Sequence, residues 1–140
     1  MRVFLDTNVL IAAFATRGLC EDVLRTTLSA HVLITGTHVL AEVERALTDK
    51  LRMPASKART ISAFIRQNAE VIEPSAPAPW PSKDPDDQWI VSAATEGNAD
   101  VLVSGDQDLL EIADNIQIRI LSPRGFWEAL RYPERVDVDT

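Results

Sequence analysis

Two kinds of hydrophobic pattern alternate along this chain. Short, nearly unbroken apolar runs lie at residues 3–5, 32–34, 71–72, 101–103 and 116–121, and each predicts a brief strand. Between them, apolar residues recur three or four positions apart. Val9, Leu10, Ile11 and Phe14 predict a helix over 8–15, and Val23, Leu24 and Leu28 a second over 20–29. Val39, Leu40, Val43 and Leu47 mark a helix from 37 to about 51, and Ile61, Phe64 and Ile65 one over 56–68. Further helices are predicted at 84–96, 107–113 and from Ser122-Pro123-Arg124 through Leu130. The breaks fall where turn chemistry expects them: Thr16-Arg17-Gly18, a turn at Thr35-Gly36-Thr37, Pro54, and Gly97-Asn98. The long irregular stretch is 73–81, where Pro74, Pro77, Pro79 and Pro81 exclude a helix and favour an extended rim loop. A domain linker is the rival, but the flanking pieces are too small to fold separately.

Strands alternating with helices imply an α/β fold whose parallel sheet is covered on both faces. Right-handed crossovers bring the carboxyl ends of all strands to one edge. A chain of 140 residues supports one core, so a single domain is expected over 1–130, with a polar tail at 131–140. Another doubly wound unit, of flavodoxin or receiver type, is the alternative architecture.

The net charge of −7 and pI near 4.7 disfavour a passive nucleic-acid binder, which would carry a basic face. One cysteine, Cys20, gives no intrachain disulfide, and the opening residues reach Asp6 too soon for a signal peptide. No apolar run approaches the ~20 residues of a membrane span. A cytoplasmic protein is expected.

The placement of acids then changes the picture. Asp6 follows the first strand directly, ahead of Thr7 and Asn8, and Ser104-Gly105-Asp106-Gln107-Asp108 follows the fourth. Both acids therefore belong to the same sheet edge, where metal and phosphate sites form. Each also has a plain structural role. Asp6 can cap the helix beginning near Asn8, and Asp106 or Asp108 the helix carrying Leu109 and Leu110. In Asp84-Pro85-Asp86-Asp87, Asp84 suits an N-cap, Pro85 the first helical position and Asp87 the third, leaving Asp86 as a surplus acid. Glu42 lies between Val39 and Val43, close to the apolar face, whereas Glu44 points outward. If these acids converge, like charges raise one another's pKa, and a hard divalent cation, Mg²⁺ or Mn²⁺, resolves the conflict. No zinc ligand set is present. His38 and Glu42 stand one helical turn apart and can form a metal pair, although a satisfied rim residue is the commoner fate of such a histidine. There is no GxGxxG, no P-loop and no histidine positioned for a serine triad, and Asn8 stands where a phospho-receiver wants an acid.

Taken together, Asp6-Thr7-Asn8-Val9-Leu10, Leu40-Ala41-Glu42-Val43, Asp84-Pro85-Asp86-Asp87 and Ser104-Gly105-Asp106-Gln107-Asp108-Leu109 resemble the four acidic segments of PIN-domain proteins, in order. The resemblance spans roughly residues 1–125. The Asp84-Pro85-Asp86-Asp87 form is similar to the bacterial and archaeal subgroup described as toxin components of toxin–antitoxin systems. It implies a three-layer α/β/α sandwich with sheet order 3-2-1-4-5. It implies an Mg²⁺- or Mn²⁺-dependent endoribonuclease with Asp6, Glu42, Asp87 and Asp106 as catalytic and metal-binding residues. Thr7, Asn8, Ser104, Asp84 and Asp108 take supporting places. A homodimer and a cognate antitoxin are the partners it implies, besides the RNA substrate. RNA maturation or decay outside a toxin pair is a second possibility, and a non-enzymatic α/β module whose acids merely cap helices a third. Because the chain is acidic, weak metal-free affinity for RNA is expected, with Arg17, Arg45, Lys50, Arg52 and Lys83 available for a basic rim.

Overall fold

The structure is a computed structural model, and residues 1–78, 85–112 and 118–132 are described. The first strand, β1 (Arg2–Leu5), leads into α1 (Thr7–Ala15) and α2 (Leu19–Ala30). Strand β2 (Val32–Gly36) feeds α3 (Thr37–Asp49) and α4 (Ala55–Asn68), then β3 (Ala69–Ile72). Next come α5 (Pro85–Glu96), β4 (Val101–Val103), α6 (Gln107–Glu111), β5 (Arg119–Leu121) and α7 (Pro123–Arg131). All four strand pairings are parallel, in the order β3-β2-β1-β4-β5. This is the 3-2-1-4-5 order expected, and it separates the fold from flavodoxin-type units, whose order is 2-1-3-4-5. No described helix is long and apolar enough to cross a membrane.

The chain winds outward from β1 in both directions, so the strand order reverses between β1 and β4. Leu5 pairs with Val103 there, and Asp6 extends the ladder by donating its N–H to the Val103 carbonyl at 3.0 Å. Helices in a parallel sheet run back against the strands. The N-termini of α1, α3, α5 and α6 therefore gather at the edge where Asp6 emerges. The core beneath is apolar: Val3, Phe4 and Leu5 are wholly buried, as are Leu10, Ile34, Leu102 and Val103. Of the apolar residues of α2 and α4, Val23, Leu24 and Ile65 enter this core, while Phe64 stays 42% exposed with its ring edge against Phe14.

One expected turn is not a turn. Thr35 and Gly36 remain in β2, and Thr37 already begins α3. Gly36 is fixed by its register opposite Ile72 and by a close approach of α5: a Cβ added there would stand 2.9 Å from Ala93 Cβ. Gly97, just past α5, is equally tight against Ile34 and Ile72. The proline-rich segment also differs from a free rim loop over its described part. It runs back along α5, with Ser75 donating its N–H and hydroxyl to Glu96 at 2.9 and 2.8 Å, Ser92 donating to the Ala76 carbonyl, and Ala78 N–H donating to the Gln88 carbonyl. Residues 79–84, with the expected cap Asp84 and the rim residue Lys83, lie outside the described residues, as do 113–117 and the tail from 133.

Glycine at position 36 thus sets how closely α5 sits on the sheet. Gly36→Ala places two backbone-anchored Cβ atoms in conflict and is expected to destabilise the fold by about 1–3 kcal/mol. Thermal unfolding of the two chains checks this; an unchanged melting temperature would show that α5 yields without cost.

Candidate active site

Asp6 is the N-cap of α1 and is only 3% exposed. Its Oδ1 accepts the Thr7 N–H at 2.6 Å, and its Oδ2 accepts the Ser104 hydroxyl at 2.6 Å. Capping alone would be served by one oxygen facing solvent. Here both oxygens are held, and the carboxylate stands at the point where β1 and β4 diverge. Ser104 completes a second link: its Oγ accepts the Asp106 N–H at 2.9 Å. Asp106 in turn caps α6 by accepting the Asp108 N–H at 2.9 Å. One buried hydroxyl therefore locks two acid-bearing turns together.

Thr7 does the same on the other side. Its backbone N–H holds Asp6, and its hydroxyl donates to Glu42 Oε2 at 3.0 Å. Glu42 lies on the second turn of α3, in register with buried Val39 and Val43 on its inward side. Its other oxygen, Oε1, is 2.9 Å from His38 Nε2. The same ring nitrogen lies 2.9 Å from Asp86 Oδ1, reaching across from α5. His38, Glu42 and Asp86 thus offer one nitrogen and two oxygens, all within 4.8 Å of one another. Asp87, the next residue of α5, is 3% exposed in the first helical turn.

Asp6, Glu42, Asp86, Asp87 and Asp106 all line one cavity of about 520 Å³, with Thr7, Asn8 and His38. The arrangement gathers the four principal acids expected from the sequence. Asn8 reaches the cavity too. Ser104 supports it from beneath, and Asp108 contributes its backbone N–H to the Asp106 cap without its carboxylate lining the space. Of the basic residues considered for a rim, Arg45 and Lys50 border the cavity, whereas Arg17 and Arg52 do not. Two participants stand outside the four principal acids. Asp86 had been the surplus acid, and His38 had a rim role as its commoner fate. The His38–Glu42 spacing was a usable signal; the approach of α5 to α3, which delivers Asp86, was not visible.

Burial dominates the electrostatics. It raises the Asp6 carboxyl above the ordinary aspartate value, against the hydrogen bonds from Ser104 and Thr7, and the nearby Asp106 charge adds to the rise. Glu42 is raised as well, by burial first and then by its hydrogen-bonded neighbour Asp86. Asp86 is lowered, chiefly through that same contact with Glu42 and then by His38. Oxygen donors with one imidazole fit a hard divalent cation of the Mg²⁺ or Mn²⁺ type, and the raised carboxyl pKa of Asp6 marks the charge such an ion would relieve.

The profile of the PIN domain matches residues 2–108 of the chain. No curated protein matches it in sequence. Among solved structures, VapBC2 from Rickettsia felis, bound to a DNA fragment from its promoter, superposes with a TM-score of 0.64 at 16% identity, covering 87% of this chain and 98% of that one. VapBC-1 from nontypeable Haemophilus influenzae gives 0.64 at 16% identity over 89% and 99%. VapC20 from Mycobacterium tuberculosis, a toxin that cleaves the sarcin–ricin loop, gives 0.57 at 18% over 78% and 93%. At these identities the likeness is one of fold.

The raised Asp6 carboxyl has a consequence for stability. Its folded pKa exceeds the unfolded one, so ionisation works against the fold as pH rises from the unfolded value, and fully so above the folded value. Asp6→Asn is therefore expected to raise the melting temperature of the metal-free chain at neutral pH. The gain should shrink as pH falls toward the ordinary aspartate range. Melts of both chains in EDTA across that range test the sign; a variant less stable than wild type at neutral pH would contradict it.

Proposed function

We propose a function from one premise: the chain belongs to the PIN domain family. The activity that its geometry supports best is metal-dependent endoribonucleolytic cleavage. The observation that carries it is the convergence of Asp6, Glu42, Asp87 and Asp106 on one cavity at the carboxyl edge of the sheet, braced by Ser104 and Thr7. Caps alone need no convergence.

Asp6, Asp87 and Asp106 would hold the cation, Mg²⁺ or Mn²⁺, with Glu42 at its flank and His38 and Asp86 beside it. Bound there, the ion supplies Lewis acidity and lowers the pKa of an attacking water. Glu42 is anchored through both oxygens, by Thr7 and by His38, and a carboxylate with a raised pKa suits accepting that water's proton. The water oxygen bonds to phosphorus, the P–O3′ bond breaks and the departing O3′ takes a proton from solvent, leaving a 3′-hydroxyl and a 5′-phosphate. Ser104 keeps Asp6 and Asp106 at fixed separation throughout, so the site need not reorganise as charge develops. Asn8, at the exposed lip, is placed to touch substrate.

The biological setting we assign is the toxin of a toxin–antitoxin pair. The fold neighbours support this: two are VapBC assemblies, one is a VapC toxin, and another is FitAcB from Neisseria gonorrhoeae, with a TM-score of 0.58 at 14% identity. A small antitoxin laying a basic residue against these acids would exclude the metal. A homodimer using the exposed Phe64 side is the expected free form.

Three measurements test the proposal. Wild-type chain with Mn²⁺ should cut fluorescent single-stranded RNA, and EDTA should stop it. Asp6→Asn should lose at least about a hundredfold in rate. Full retention of metal-dependent cleavage by that variant would remove this site from the chemistry. Separately, Mn²⁺ at ~100 times its Kd should stabilise wild type by about 2.7 kcal/mol in thermal melts, and Asp6→Asn much less. Light scattering of the chain alone, and beside the product of an adjacent small reading frame, checks the partners. A monomer, or a neighbour that neither co-purifies nor inhibits, would overturn the respective assignment.

A further inference from the structure

The cavity is not a round pit over the acids. Its α3 wall is built from His38, Glu42, Arg45, Ala46, Asp49 and Lys50, residues spaced three or four apart that form one stripe down the helix. From His38 to Lys50 the stripe runs ~18 Å at the rise of an α-helix. Asn8 and Ile11, one turn apart on α1, supply the facing wall. The space is therefore a groove running along α3, with α1 beside it and Asp86, Asp87 and Ile90 of α5 adding to its lining. The end at the helix N-termini is acidic. Past Glu42 the stripe carries Arg45 and then Lys50, both exposed, with Asp49 between them, and neither cation closes a salt bridge among the described residues. Beside the cations, Ile11 and Ala46 offer apolar surface.

That order of chemistry suits a polyanion that enters the acidic end with one phosphate only. We infer that single-stranded RNA lies along the α1–α3 groove, with Arg45 and Lys50 holding phosphates on one side of the scissile bond. This rests on the nuclease function proposed above and adds a direction to it. Arg45 stands closer to the acids: its charge is among those that lower Asp86. Lys50, the C-cap residue of α3, stands a turn further away. Ile11 and Ala46 face the stretch between, where a ribose or the face of a base can pack while its phosphates reach the cations. Asp49 lies in the same stripe and opposes the strand, so it weakens binding. An acidic chain thus places two of its basic residues where the substrate continues past the chemistry.

The test separates this groove from the cleavage reaction. Binding is measured by fluorescence anisotropy on the uncleaving Asp6→Asn chain with Mg²⁺, using a short single-stranded RNA at several salt concentrations. Arg45→Gln and Lys50→Gln added to that chain should each weaken binding several-fold and reduce the slope of log K against log salt by ~0.7, the value for one lost phosphate contact on a single strand. Asp49→Asn should tighten binding. In chains that retain Asp6, the two glutamine variants should raise KM for a longer RNA more than they lower kcat. Unchanged affinity and salt slope in both glutamine variants, or no RNA binding by the Asp6→Asn chain, would overturn the groove assignment. Failure of wild type to cut RNA would instead overturn the nuclease function, whatever the binding shows.

Discussion

Keeping the carboxylate of Asp6 inside the protein is the constraint from which the rest of the site follows. A buried carboxylate needs its oxygens satisfied or its charge matched. Here the matching is partial: a backbone N–H and a hydroxyl hold the two oxygens, yet burial still raises the pKa. Ser104 can supply its hydroxyl because β1 and β4 are neighbours in register, and they are neighbours only because the strand order reverses there. Topology, hydrogen bond and residual charge are one chain of causes. A divalent ion is the natural completion of a site left in that condition.

The capping roles of these acids and their convergence on one cavity have the same cause. A parallel sheet sends the N-termini of the returning helices to a single edge, and acids favour helix N-termini because the first N–H groups lack partners. Asp6 and Asp106 are caps in fact, and Asp86 and Asp87 lie in the first turn of α5. Each of these acids is locally stabilised by its own helix, and the fold then sets three such helices around one cavity, with Glu42 joining from the second turn of α3. Local capping offsets part of the repulsion that convergence creates.

The position of α5 decides whether its two acids reach that cavity. Small residues let the helix settle on the sheet: Gly36 meets Ala93 and Gly97 meets Ile34 and Ile72 at distances that leave no room for a side chain. The segment at 73–78 then runs along its outer side, tied through Ser75, Ser92 and Glu96. Held from both sides, α5 brings Asp86 against His38 on α3, and Glu42 acquires a neighbour that adds to the rise burial gives its pKa. Packing at one end of the helix is in this way expressed as a pKa at the other.

Alternating apolar runs and helical periods determined the strand and helix sequence, the parallel sheet, and the shared edge of Asp6 and Asp106, because those are consequences of local periodicity and chain handedness. Glu42 and Asp87 were legible through their placement beside apolar positions and through the four-segment resemblance. The tertiary structure alone decided what touches what. It made Ser104 the brace between Asp6 and Asp106, and Thr7 the brace to Glu42. It drew in His38 and Asp86, and it chose Arg45 and Lys50 over Arg17 and Arg52 for the groove. It also kept Thr35 and Gly36 in the strand where turn chemistry argued otherwise. Distances between elements depend on how closely helices pack on the sheet, set by side-chain volumes at positions such as Gly36 and Ala93 that lie far apart in sequence. No periodicity within either segment carries that information.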